Sequence, residues 1–326
     1  RRRILLSGLI IFLLVTLGCI WATNVWVFLL FRMLQAVIVV TMALSRAAIR
    51  DMVPEREAAS MIGYVTMGMA VAPMVGPAIG GSLDAIFGWQ ASFWALFLLG
   101  AVVLALTWAD FGETAPRKPG GFAAQLRDSP ELCRSPRFWG YAGTLGFASG
   151  AFFAYLGGGP YVGDQVFGMD PATFGIYFGA PAVGYFIGNF ISGRYSIRFG
   201  VNRMVLIGSV GCAAGITGNL MLFAVDLGTP LSFFGLMSLM GLGNGLVIPN
   251  ATAGALSGSP HLAGTASGLS GALMIGLGAG LSALAGFILT LGLGTLPLLA
   301  LMVVSAYAAI FTILYVIRRE RILGVS

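Results

Sequence analysis

The sequence predicts an all-α polytopic membrane protein, and three observations carry that prediction. Of its 326 residues, 58% are hydrophobic and only 9% are charged, whereas a soluble protein has about 25% charged residues. Apolar segments long enough to cross a bilayer as helices recur along the whole chain. Nearly all Lys and Arg residues fall in alternate connections between those segments.

Ten segments are long and apolar enough to be membrane spans. They lie at residues 4–22, 25–49, 58–82, 91–109, 138–160, 172–192, 204–225, 231–255, 264–290 and 296–317. The first span follows three arginines, as the apolar core of a secretory signal would, but no small-residue cleavage site follows it. Nine further spans follow instead, so we interpret residues 4–22 as a membrane helix.

The basic residues orient the chain in the membrane. Connections on one side contain most of the Arg and Lys residues, and those on the other contain Asp84, Asp164, Asp170 and Asp226 without a single Lys or Arg. Because basic connections stay in the cytoplasm, both ends of this chain are predicted to be cytoplasmic. The excess of 18 basic over 12 acidic residues therefore indicates topology rather than nucleic-acid binding.

The cysteines indicate neither a disulfide framework nor a metal site. Cys19, Cys133 and Cys212 lack metal-ligand spacing, and two of them lie in apolar segments. We expect no cofactor. The lipid bilayer is the surrounding that the composition demands.

The connection at residues 110–137 is charged and proline-rich. It predicts a cytoplasmic linker between two helical bundles, residues 1–109 and 138–326. An internal repeat supports this division, because several residues of the third span match residues of the ninth at a displacement of 200. The matched residues are Gly68, Ala72, Met74, Gly76, Gly80 and Ser82 with Gly268, Ala272, Met274, Gly276, Gly280 and Ser282.

Parallel repeats would leave the two spans between residues 138 and 192 without counterparts. We therefore expect two further helices before Arg1 and a complete arrangement of six plus six, in which the ten spans of this chain are helices 3–12.

The third span is unusually rich in glycine and proline between residues 68 and 81. These residues are Gly68, Pro73, Gly76, Pro77, Gly80 and Gly81. Each interior glycine costs a soluble helix about 1 kcal/mol and each interior proline about 3 kcal/mol. In a membrane bundle, small residues allow close helix contact and neighbouring helices satisfy the freed carbonyls. We interpret this stretch as a bent, tightly packed helix at a bundle interface.

Arg32 lies inside the second span, about 10 Å from its outer end. A guanidinium facing lipid there would cost at least about 2.5 kcal/mol, so we expect Arg32 to face a polar interior with Gln35 near the same face. Snorkelling of Arg32 outward to the headgroups is the alternative.

Several motifs together resemble one transporter family. Residues 68–81 match the second part of an antiporter motif, G-x7-G-P-x-x-G-G, and the sequence RMLQ at residues 32–35 resembles an arginine motif of the preceding helix. Residues 88–94 match the pattern before the next helix. The chain thus resembles the major facilitator superfamily and, within it, the drug/proton antiporters of the bicyclomycin-resistance type.

The resemblance implies two parallel six-helix bundles that rock about a midplane site in the bacterial inner membrane. It implies proton-coupled efflux of small drug-like molecules by a protein that is not an enzyme, and we expect a monomer. A carrier of the same fold for a small metabolite, imported or exported, is the alternative function.

The resemblance also implies a cytoplasmic latch. Arg3 ends a segment like the family's basic loop motif, and Asp51 lies at the mouth of the next helix, where such arginines could reach it. The second-half echo of the loop motif comprises Gly193, Arg198, Gly200 and Arg203. Ile197 occupies the position of the motif's aspartate, so any latch in this half must differ. An exposed ion pair of little energetic value is the alternative for Asp51.

Aromatic, amide and thioether side chains are candidates for lining a substrate pathway. We select Tyr64, Met67, Tyr155, Asn189 and Asn244, for each of which helix packing is the alternative. No predicted span contains an internal Asp or Glu. Proton antiport needs a titrating group, which we expect on the helices preceding this chain.

A membrane protease is a poor alternative. The sequence GLSG at residues 268–271 resembles a nucleophile motif, but the only histidine, His261, lies in a cytoplasmic connection and cannot activate a serine at membrane depth.

Overall fold

The computed structural model describes residues 2–38, 76, 79–112, 132, 134–257, 263–292 and 294–322. The helices of these ranges are α1 (Arg2–Ile20), α2 (Val25–Leu34), α3 (Gln90–Asp110), α4 (Pro136–Tyr161), α5 (Pro171–Phe178), α6 (Ala180–Phe199), α7 (Val201–Ala224), α8 (Pro230–Ser257), α9 (Ala263–Thr290) and α10 (Leu296–Ile322). A 3₁₀ turn, Gln35–Ile38, follows α2, and a π turn, Val162–Val166, follows α4. Residues 79–87 are also helical.

Seven helical stretches in the described ranges are long and apolar enough to cross a membrane. They are Arg2–Ile20, Gln90–Asp110, Pro171–Phe199, Val201–Ala224, Pro230–Ser257, Thr265–Thr290 and Leu296–Ile322. These stretches confirm the predicted spans at their positions and the all-α fold class. The 26-residue helix α4 lies at the predicted span 138–160. Most of the predicted span 58–82 and the second half of 25–49 fall outside the described residues.

The predicted span 172–192 differs in detail, because two helices cover it. The break lies at Gly179, between α5 and α6. The break is explained by Pro181, which lies in the first turn of α6. Proline has no amide proton to donate, and in a continuous helix its ring would clash with a carbonyl of the preceding turn. Asp170 begins α5 by accepting hydrogen bonds from the backbone amides of Ala172 and Thr173 at 3.1 and 3.0 Å, and hydrogen bonds from Thr173 lower the pKa of its carboxyl.

Two other predicted ends are also corrected. Helix α10 continues to Ile322, five residues beyond the predicted span 296–317. Helix α6 continues to Phe199 and is joined to α7 by Gly200 alone, whose φ of 81° suits a residue without a Cβ.

The described helices belong to two compact units. The first contains α1, α2 and α3, and the second contains α4 to α10. In the first unit, α1 packs against α2 and α3. Phe28 of α2 forms edge contacts with Trp89 and Phe93, with ring centroids 5.6 Å apart in both cases.

In the second unit, α8 is the central helix and packs against α4, α6 and α7. Helices α6 and α8 approach so closely that a Cβ on Gly184 or Gly241 would overlap a backbone carbonyl of the facing helix. Gly208 of α7 and Gly243 of α8 make a similar close contact. The sequence pattern of scattered glycines therefore has a structural reason, which is backbone-to-backbone packing.

Aromatic side chains fill one end of this unit. Phe233 and Phe234 are fully buried with ring centroids 5.0 Å apart, and Tyr155 stacks on Phe178 at 4.8 Å.

We predict that G241A destabilises the protein by about 1–3 kcal/mol, because the added methyl forces α6 and α8 apart. Thermal unfolding in detergent measures this effect. The matched control is G235A on the same helix, where a Cβ meets nothing within 4 Å. Equal unfolding temperatures for the two variants would contradict the close-packing account.

Candidate functional site

A hydrogen-bonded chain of side chains holds Arg32 in the first unit. The guanidinium of Arg32 donates to Gln35 Oε1 at 2.6 Å, and Gln35 Nε2 donates to Thr16 Oγ1 at 2.8 Å. Thr16 donates in turn to the carbonyl oxygen of Phe12 at 2.7 Å. The Arg32 guanidinium also lies 5.6 Å from the ring centroid of Phe93. The predicted proximity of Arg32 and Gln35 is therefore a direct contact.

Burial differs sharply along this chain. Thr16 is fully buried and Gln35 is 5% exposed, whereas Arg32 is exposed within its unit. The two buried groups therefore fix one side of the cation, and its other donors bond no side chain or carbonyl of the described residues. Its hydrogen-bond partner is a neutral amide, so no carboxylate neutralises Arg32 in the part of the chain that the structure describes.

The other predicted pathway residues occupy different environments. Tyr155 is 1% exposed, and its hydroxyl donates to the carbonyl oxygen of Phe178 at 2.9 Å at the α5–α6 break. Asn189 is half-buried, and its amide donates to Tyr185 of its own helix. Asn244 is 3% exposed, and its Oδ1 has no hydrogen-bond partner among the described residues. A role of Tyr155, Asn189 and Asn244 in a substrate pathway stays a prediction.

Much of the predicted antiporter motif lies outside the described residues. Outside the described residues are three residues of the motif, Gly68, Pro73 and Pro77. The predicted pathway residues Tyr64 and Met67 and the predicted latch residue Asp51 are outside them as well. Gly76, Gly80 and Gly81 are helical. A Cβ on Gly80 would lie 3.8 Å from Ser92 Oγ, which is an ordinary van der Waals distance, so the described neighbours of Gly80 would accommodate a larger side chain at its Cβ.

The predicted second-half latch residues lie at the surface of their unit. Gly193, Arg198 and Arg203 are exposed, and Arg198 lies over the ring of its neighbour Phe199. Arg3 is exposed on α1. The latch role of these residues stays a prediction. Asn202, which precedes Arg203 in the chain, is hydrogen-bonded to Tyr141 and Glu320.

Asn202 belongs to a polar cluster that the sequence did not reveal, the Glu320 cluster, made of Arg137, Tyr141, Asn202, Ser257 and Glu320. Arg137 Nε donates to Glu320 Oε1 at 2.6 Å, and Tyr141 donates to the same oxygen at 3.2 Å and to Asn202 Oδ1 at 2.7 Å. Asn202 donates to Glu320 Oε2, and Arg137 donates to Ser257 Oγ at 3.0 Å. The cluster joins the first turns of α4 and α7 to the last turns of α8 and α10.

The carboxylate is the centre of this cluster. The side chain of Glu320 is 7% exposed and accepts hydrogen bonds from three residues, whereas that of Arg137 is 28% exposed. A buried carboxylate is tolerated only with such partners. The two charges stand 183 residues apart, so no periodicity connects them. The sequence carries one signal for this pair. Arg137 directly precedes the predicted span 138–160 and Glu320 follows the predicted span 296–317, so the two opposite charges are expected at the same membrane face.

Long apolar helices, glycine-mediated packing and a few buried polar side chains together define a multi-pass helical membrane protein. The chain belongs to the Major Facilitator Superfamily, whose sequence profile matches residues 1–283. Its fold is similar to a crystal structure of a bacterial homologue of the human lysosomal transporter Spinster in an inward-facing and occupied conformation. That likeness has a TM-score of 0.59 at 18% identity over 96% of this chain and 79% of that chain.

Curated relatives refine the family. The chain is 30% identical to an uncharacterized MFS-type transporter, YdgK, of Bacillus subtilis, over 94% of this chain and 77% of the relative. It is 28% identical to a bicyclomycin resistance protein homolog of Haemophilus influenzae, over 86% and 71%. It is 29% identical to the multidrug resistance protein D of Escherichia coli, over 92% and 75%. The resemblance stated from the motifs is confirmed, and these relatives are transporters rather than enzymes.

We predict that T16V lowers the free energy of unfolding by about 1–3 kcal/mol, because Gln35 Nε2 loses its acceptor in a buried position. It should also weaken any activity that depends on Arg32, since Gln35 is then free to rotate. T107V on α3 is the matched control, because Thr107 bonds only a carbonyl of its own helix on an exposed face. Chemical unfolding and a transport assay on both variants measure the two effects.

We predict that E320Q destabilises the second unit by about 3 kcal/mol, because Arg137 keeps its charge and loses its counter-charge. The double variant R137M/E320L should be less destabilised than E320Q, since it removes both charges together. The measurement is thermal unfolding of the purified variants. A double variant at least as unstable as E320Q would show that the ion pair is not the stabilising element of the cluster.

Proposed function

We propose that this protein exports small drug-like molecules from the cytoplasm in exchange for protons. The observation that carries the proposal is the cation at Arg32 on a membrane helix, which Gln35 and Thr16 hold in place and which no carboxylate of the described residues neutralises. A guanidinium is too costly in this position to be kept for packing alone. Relatives named for resistance to bicyclomycin and to multiple drugs favour a drug as the substrate over a metabolite.

Arg32 can serve this function in two ways. It can lower the pKa of a carboxylate that enters its surroundings, or it can replace water around a carbonyl or hydroxyl of the substrate. Both roles require a guanidinium with donors left over, and within the described part of the chain Arg32 uses its donors for one hydrogen bond, to Gln35. Proton antiport also needs a titrating group, and no predicted span of this chain contains an internal Asp or Glu.

Transport is proposed to proceed by alternating access between two bundles, residues 1–109 and 138–326, joined by the linker 110–137. The bundles would rock about a midplane site. Residues 68–81 would form the bent helix at their seam. The protein is proposed to act as a monomer in the bacterial inner membrane, with both ends of this chain in the cytoplasm.

The test uses the protein, expressed from its complete gene, in everted membrane vesicles with an acidic interior and a pH-sensitive dye. Addition of a neutral or cationic antibiotic should release protons from vesicles with the wild-type protein. R32A should abolish this response at equal membrane content, because the cation is lost. R194A is the matched control, since Arg194 is exposed, lies outside the Arg32 chain and belongs to neither predicted motif.

Two results would overturn the proposal in different ways. An undiminished response from R32A would remove Arg32 from the mechanism. Silence of the folded wild-type protein across a broad panel of antibiotics would favour a carrier of a small metabolite.

A further inference from the structure

The second unit has a groove of about 520 Å³ between the first turns of α4 and the last turns of α10. Its lining includes Arg134, Trp139, Gly140, Phe311, Thr312 and Tyr315. All of these residues belong to one compact unit. The volume is within the range of ordinary small-molecule sites, about 300–1,000 Å³.

Close packing of the two helices gives the groove its floor. A Cβ on Gly140 would overlap the side chain of Val316, and a Cβ on Gly143 would lie 3.3 Å from Thr312. The side chains that flank this contact between α4 and α10 are exposed. Phe311 is 68% exposed and Tyr315 is 48% exposed, so the walls of the groove are apolar and aromatic surface.

The charges of the groove are concentrated at its mouth. Arg134 is exposed in the turn before α4, and α4 begins beside it at Pro136. Arg319 follows Tyr315 by four residues and therefore lies one turn further along the same face of α10. Glu320 points elsewhere, because it is buried against Arg137 in the Glu320 cluster. The basic connections place this end of the unit at the cytoplasmic membrane surface.

We propose that this groove binds one anionic phospholipid of the cytoplasmic leaflet. The headgroup phosphate lies at Arg134 and the N-terminal end of α4, where guanidinium donors and the positive end of the helix dipole favour an anion. One acyl chain lies along Phe311 and Trp139. Basic pockets between helices at the cytoplasmic face suit anionic headgroups, and Trp and Tyr rings suit the boundary between headgroups and acyl chains.

Charge complementarity favours an anionic phospholipid over a neutral lipid or an amphipathic cation. A neutral lipid would fill the aromatic walls but would supply no negative charge to Arg134 and Arg319, which have no acidic partner among the described residues. An amphipathic drug cation would be repelled by the same arginines. The opposite side of the α4–α10 junction is held by Arg137 and Glu320, so the lipid would complete the junction on its outer side.

Native mass spectrometry of the purified, delipidated protein tests the site by titration with phosphatidylglycerol and, separately, with phosphatidylcholine of the same acyl chains. The first phosphatidylglycerol should bind wild-type protein about tenfold more tightly than phosphatidylcholine. R134Q should lose most of that preference. R203Q is the matched control, because Arg203 is exposed at the same membrane face of the same unit and should keep the preference.

A second measurement locates the lipid. Phosphatidylglycerol with a photoreactive acyl chain should crosslink to residues 311–315, and excess glycerol phosphate, which lacks acyl chains, should not displace it. Equal affinity for the two lipids, equal losses in R134Q and R203Q, or crosslinks confined to other helices would each overturn the proposal. Displacement by glycerol phosphate would show a site for free phosphate esters instead.

Discussion

Close backbone contact between α6, α7 and α8 is the constraint on which the second unit depends. In a bilayer, leucine side chains gain little by leaving lipid for the helix interface, so association relies on van der Waals packing and hydrogen bonds between helices. Gly184 and Gly241 remove the side chains that would hold α6 and α8 apart, and Gly208 and Gly243 do the same for α7 and α8. The central position of α8 follows, and with it the burial of Asn244 and of the aromatic residues around Tyr155.

The two polar clusters use charge in opposite ways. In the Glu320 cluster the carboxylate has a guanidinium, a phenol and an amide as donors, and this satisfied arrangement joins four helix ends. Among the described residues Arg32 instead has one acceptor, the amide of Gln35, which Thr16 positions. A satisfied pair suits a structural role, whereas an exposed cation with free donors suits contact with a changing partner. This contrast is the physical reason for proposing a transport role for Arg32 and a structural role for Glu320.

Prediction from the sequence succeeded where one strong signal acts locally. Seven predicted spans coincide with helices, because long apolar runs have few alternatives in a bilayer. The proximity of Arg32 and Gln35 followed from helical spacing alone. The sequence did not predict that α10 continues through residues 318–321, beyond the predicted span 296–317. They extend α10, since Glu320 finds Arg137 on a helix that is 183 residues distant in sequence.

The sequence by itself determined the class of protein, the positions of most spans, the family and the charge that distinguishes α2. Those properties reside in composition and in short motifs, which each segment carries independently of its neighbours. Only the tertiary structure decided which charges meet, which glycines are contacts and where Tyr155 lies. The reason is that helices of similar hydropathy can pack in many arrangements, and the arrangement is selected by small residues and buried polar partners far apart in the chain.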